Sequence, residues 1–164
     1  MRVSRRDNGF SFVEILISII LVGLSITALV FASNSFTMAN GAGADLSTAE
    51  FLVEQIRELT TLLPVVEPDA PTTVFGPDPG ESTIAAYDDL DDLDNLTCSP
   101  PIDAGRNALT ELAGFSQVVK VENVSQSDFN AVVTDHGSDF VRITVTVSLG
   151  GRPISSASWI RANY

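Results

Sequence analysis

The sequence predicts an α+β protein in which a long amino-terminal α-helix packs on a small antiparallel β-sheet. Three observations predict it. Residues 10–31 hold 16 apolar residues out of 22 and a single charge, Glu14. No proline interrupts residues 10–63, and residues 115–164 alternate apolar and polar side chains between turn-forming clusters, the period of half-buried strands. At 164 residues and 17.5 kDa the chain is one domain, or a small domain with an appendage. Its mean hydropathy is positive, +0.23, although its formal net charge is −12, so the apolar and acidic residues must be segregated along it. A pI near 4.2 argues against nucleic-acid binding, which rests on clustered Lys and Arg. The lone Cys98 excludes an internal disulfide framework, and Cys98 with His136 offers too few ligands for a structural zinc.

The apolar residues belong to the amino end. As an α-helix, residues 10–31 rise about 33 Å, enough to cross a hydrocarbon core. After Glu14 no charge follows until Asp45, and Arg2, Arg5 and Arg6 form a basic flank that stays cytoplasmic and sends the rest outward. A removed secretory signal has an apolar core of roughly 7 to 15 residues before its cleavage site, and this run is too long for one. A signal anchor and a leader cut ahead of the apolar run remain. An acid at the centre of a membrane helix costs on the order of 3 kcal/mol, and the position of Glu14 near the helix start, where the dipole favours negative charge, lowers that cost.

The string Arg5-Arg6-Asp7-Asn8-Gly9-Phe10-Ser11-Phe12-Val13-Glu14 resembles the prepilin leader of the type IV pilin family: a short basic peptide ending in Gly, an aromatic first mature residue, and Glu as the fifth. Ser11 and Phe12 stand where Thr and Leu are commoner. The resemblance implies a type IV pilin-like fold, cleavage between Gly9 and Phe10 by the membrane aspartyl prepilin peptidase, and methylation of the new amine on Phe10. It implies that Glu14 pairs with the amine of a neighbouring subunit, so that other pilin subunits, the pilus assembly platform and the inner membrane are the partners. Residues 1–9 would then be the leader and 10–33 the transmembrane and assembly helix. Losing the leader removes three bases and one acid and takes the charge to −14. Phe31 replaces a proline common in major pilins.

Residues 34–63 read as an amphipathic continuation of the helix, ended by Pro64. Leu46, Ala49, Val53, Ile56, Thr60 and Leu63 recur at steps of three and four, Leu52 and Leu59 widen the stripe, and Glu50, Glu54 and Glu58 line a solvated face. Gly41 and Gly43, each costing about 1 kcal/mol relative to Ala, mark a hinge or bend.

Residues 64–114 read as an acidic, proline-rich loop region, with seven of the eight prolines before Arg106 and a turn at Gly76-Pro77-Asp78-Pro79-Gly80. Its densest run is Tyr87-Asp88-Asp89-Leu90-Asp91-Asp92-Leu93-Asp94. Two readings stand: leucines 90, 93 and 96 dock on the core and leave the aspartates in water, or Asp88, Asp89, Asp91, Asp92 and Asp94 gather hard oxygen ligands for Ca²⁺. The run lacks the glycine of an EF-hand loop. Residues 87–101 also resemble, more loosely, an Asp-rich, Ser-Pro-Pro-containing stretch of minor pilin-like proteins, including those of mannose-sensitive haemagglutinin pili.

Residues 115–164 form the sheet. Val119 and Val121 alternate with Lys120 and Glu122, residues 129–134 make a second candidate strand, and 140–149 the clearest. Gly150-Gly151 turns the chain into residues 152–161, where Pro153 suits an edge. With a turn at Asp135-His136-Gly137, the last connections read as a meander. The amphipathic half of the helix is the available cover for its apolar face. No catalytic constellation is expected: His136 reads as a solvated turn residue, and Cys98 as a buried or idle thiol. Asn95-Leu-Thr97 and Asn123-Val-Ser125 match a glycosylation sequon. Two functions remain, a minor pilin or secretion-type pseudopilin, and a non-polymerising single-span membrane protein with an acidic periplasmic binding domain. No disulfide loop and a loop-rich middle favour a minor over a major subunit.

Overall fold

The computed structural model describes residues 9–67 and 74–163. The basic flank Arg2, Arg5 and Arg6, with Asp69 and Tyr164, lies outside the described residues. One helix, α1 (Phe12–Leu62), opens the fold, and strands β1 (Thr97–Cys98), β2 (Phe115–Ser125), β3 (Asp128–Val132), β4 (Phe140–Leu149) and β5 (Arg152–Ala162) follow. Contacts divide the chain into two units, Met1–Gly43 and Ala44–Tyr164. Helical hydrogen bonding runs through Gly41 and Gly43 without a break.

Among the described residues, the first unit consists of the amino-terminal stretch of α1. This stretch is long and apolar enough to cross a membrane, and none of that window is buried. Five of its hydroxyls are satisfied locally: those of Ser18, Ser25, Thr27, Ser35 and Thr37 each donate to the carbonyl four residues back, at 2.7 to 3.0 Å. A hydroxyl so engaged presents no unpaired donor to an apolar surrounding.

The second unit has its own core. Ala49, Leu52, Val53, Ile56, Leu59 and Thr60 are the buried face of α1, joined by Leu63. Leu46 does not belong to it; at 42 % exposure it lies beyond the covered part of the stripe. Glu50, Glu54 and Glu58 are exposed, as expected. The helix packs on the apolar face of an antiparallel sheet of order β1-β2-β4-β5, to which Val119, Val121, Val141, Ile143, Val145 and Val147 contribute, each worth roughly 1.5–3 kcal/mol on full burial. Two polar side chains join helix and sheet. Gln117, fully buried on β2, donates from Nε2 to the carbonyls of Leu52 (2.9 Å) and Ile102 (3.2 Å) and accepts from the Ile102 amide at 2.8 Å. Arg161 on β5 donates to the carbonyls of Thr60 and Leu63. The last turn of α1 carries no base of its own, so Arg161 supplies the positive charge its carbonyl end favours.

The sheet departs from a meander in one respect. β4 pairs with β2 along nine residues, whereas β3 pairs only with the far end of β2. The Asp135-His136-Gly137 turn therefore carries the chain past β3 to the other side of β2. β4 and β5 pair from Phe140↔Ala162 to Leu149↔Arg152, with a bulge at Ile154, and Pro153 falls at the start of an edge strand. Within the loop region, two-residue β1 pairs with β2, and short 3-10 turns lie at Asp91–Leu93 and Thr110–Leu112.

Candidate functional sites

Gly9, Phe10 and Glu14 lie together at the head of α1. Gly9 is exposed with open space around it, and Phe10 is 81 % exposed, so the bond between them is accessible. The Ser11 carbonyl accepts the first helical bonds, from the amides of Glu14 (3.0 Å) and Ile15 (3.2 Å). Glu14 is thereby fixed in the first turn, where an acid complements the helix dipole. From Phe12 to Phe31 the large side chains are all about half exposed or more. A helix of this length carrying that surface calls for lipid or other helices around it, and Glu14 is the one carboxylate it brings there.

The acidic loop docks its leucines on the core, as one reading of its sequence expects, but does not leave its aspartates in water. Leu90 and Leu93 are fully buried, but Asp89, Asp91 and Asp92 are buried with them, at 3 to 7 % exposure, not left in water. Their carboxylates shape the loop. Asp92 Oδ2 accepts from the amides of Asp88 (2.9 Å) and Asp89 (3.2 Å), and Asp89 Oδ1 from those of Asp91 (3.0 Å) and Asp92 (3.3 Å). Asp91 Oδ2 accepts from the Gly76 amide at 3.2 Å, and Asp94 Oδ1 from Val121 on β2 at 3.0 Å. Each aspartate so used replaces a backbone partner that an irregular segment lacks.

Of the five aspartates considered as a Ca²⁺ set, only Asp88 and Asp92 offer oxygens to a common point. The third member is Glu81; one ligand atom from each lies within 4.8 Å of the others. Asp89, Asp91 and Asp94 face other partners. Glu81 carries no local signal of this role, since it stands outside the dense run and joins it only through the fold, where its Oε2 also accepts from the Asp78 amide. Three carboxylate oxygens at that spacing are hard donors of the type that Ca²⁺ takes. Burial pushes the carboxyls of Asp91, Asp92 and Glu81 up, and that of Asp89 up to about 8, where the neighbouring Asp91 adds to the effect.

His136 is not simply solvated. Its Nε2 lies 3.6 Å from Asp91 Oδ2 and its ring meets Phe75 edge-on, centroids 5.6 Å apart. Asn123 positions it, accepting from the His136 amide at 2.8 Å and donating to the Ser138 carbonyl at 3.0 Å. The second sequon asparagine is therefore a buried turn-builder. Cys98 is buried and free, and burial pushes its thiol up to about 11, far from a reactive thiolate.

Comparison of the chain with family models, with curated proteins and with solved structures gives no significant match. What the fold and these sites define is an α+β protein with one helix long enough to span a membrane and a separately packed helix-on-sheet unit.

Proposed function

We propose that the chain is a minor structural subunit of a type IV pilus or related filament, cut between Gly9 and Phe10 by a prepilin peptidase and assembled through α1. The observation that carries the reading is the head of α1: an accessible Gly-Phe bond, then a bare apolar stretch to Phe31 whose sole carboxylate, Glu14, sits in the first turn of the helix. A carboxylate among apolar helices favours a cationic partner, and cleavage creates one, the amine of Phe10. Supplied by a neighbouring subunit, that amine sets the register between helices. Before assembly the subunit spans the inner membrane with its sheet unit on the outer side; afterwards it resides in the filament. Mass spectrometry of the mature protein tests this. A chain beginning at N-methyl-Phe10 and present in sheared filaments supports it, whereas an intact leader favours a single-span membrane protein with an acidic binding domain.

A further inference from the structure

The outer edge of β5 is open. On β2, the odd-numbered residues aim their backbone groups toward β1, as the bond from the Val119 amide to the Leu96 carbonyl shows, so the even-numbered ones bond β4. By the alternation of an antiparallel ladder, the odd residues of β4 then bond the odd residues of β5. The amides and carbonyls of Ser156, Ser158 and Ile160 are left facing away from the sheet, and no backbone bond among the described residues reaches them. Edge strands are ordinarily guarded by lysines, prolines or bulges. β5 has Pro153 and its bulge at one end only, and beyond them runs Ser155-Ser156-Ala157-Ser158, all small side chains that leave the backbone approachable.

Beside this edge lies a groove lined by Glu50, Phe51, Val53 and Glu54 of α1 and Ser155, Ser156 and Ala157 of β5. Phe51 is 51 % exposed, an apolar side chain without cover. Glu50, Glu54 and Glu58 form an exposed acidic row one helical turn apart, opposed only by Arg57, which is 3.4 Å from Glu54 and also stacks over Trp159 at 4.7 Å. We infer that this edge and groove accept an extended segment of a different protein, which adds a strand to β5 and places basic side chains at alternate positions against Glu50 and Glu54. A second copy of this chain is a poor occupant. Of the six bases in the second unit, Arg57, Arg106, Lys120, Arg142 and Arg161 are engaged with their own chain, which leaves Arg152 alone, so no extended segment of that unit offers two free bases at alternate positions. Two acidic rows would also face each other.

The inference does not depend on the filament reading. Its test uses the full chain in detergent micelles, with a nine-residue peptide of alternating Lys and Val as the probe. Amide exchange by NMR should show protection at Ser156, Ser158 and Ile160 on adding peptide, with no change along β2. Glu50→Lys with Glu54→Lys should weaken binding at least tenfold, and N-methylating alternate peptide amides should abolish it. Peptide that binds without protecting those three amides, or equally well to the double variant, overturns the proposal. So does concentration-dependent protection of the same amides in the protein alone, which would make a second copy the occupant.

Discussion

Replacing Gln117 with Leu isolates the contribution of one buried amide. Leucine fills about the same volume, so the change removes hydrogen bonds without opening a large cavity. The Leu52 carbonyl keeps its place in the helical ladder, but Ile102 has no such reserve. Its neighbours' bonds, from Leu109 to the Pro101 carbonyl and from Asp103 to the Asn107 carbonyl, leave its own amide and carbonyl to the glutamine. Two buried backbone groups lose their partner at about 1–3 kcal/mol each, offset by about 1 kcal/mol of added apolar burial, a net loss of roughly 1–5 kcal/mol. For a unit of this size that lowers the melting temperature by about 4–20 °C. Thermal unfolding of the full chain in detergent, followed by the near-ultraviolet circular dichroism of Trp159, reads it. Gln117→Glu adds a signed control, because an ionised carboxylate accepts from Ile102 but cannot donate to either carbonyl. Its folded-state pKa is raised, so the variant is most stable at low pH and loses stability as pH rises. A Gln117→Leu protein melting within about 1 °C of the parent would refute the role assigned to these bonds.

Four further outcomes are expected. Glu14→Ala should leave insertion and leader cleavage intact while lowering recovery in sheared filaments, and Gly9→Val should leave an uncut precursor on a gel with the peptidase present. Asp89 has a raised pKa, so the folded state holds its proton more tightly than the unfolded one; the resulting stability is complete below the ordinary carboxylate range and is lost as pH rises through about 8. Asp89→Asn, which keeps the Oδ1 acceptor, should flatten the fall in melting temperature between pH 5 and about 8. Calorimetric titration of the full chain decides the fate of the acidic loop: heat at millimolar Ca²⁺ that disappears in Glu81→Gln assigns the Glu81, Asp88 and Asp92 oxygens to a cation, and no heat leaves them as loop-building groups.

The parts of the fold legible in the sequence are those whose period is carried by many residues. β4 falls at 140–149 as its alternation predicts, because four inward apolar residues set it. The buried face of α1 matches its stripe from Ala49 onward, and only the position of the sheet, which sequence spacing does not encode, decides that Leu46 is left out. β1 was hidden because two residues have no period. The acidic loop was misread for a physical reason: aspartates next to docking leucines are buried when they can accept backbone amides, and the amide that Asp91 uses belongs to Gly76, fifteen residues away. Glu81 and His136 join that loop through the same kind of distant contact. The signal at Gly9, Phe10 and Glu14 is of another kind, a fixed local spacing at the start of one helix.

Arg161 ties the end of α1 to the last strand of the second unit. The Thr60 carbonyl it meets lies 101 residues earlier in the chain, so the carboxyl end of α1 is closed by a group synthesised long after the helix itself. Contacts of such wide separation form late, because loop closure precedes any gain from them. Until β5 docks on β4, the helix ends in open carbonyls and the apolar face of the sheet lacks its outer strand. A chain in which β5 has not docked is thus a helix without its cap beside a sheet with an unguarded edge, a form open to mispairing.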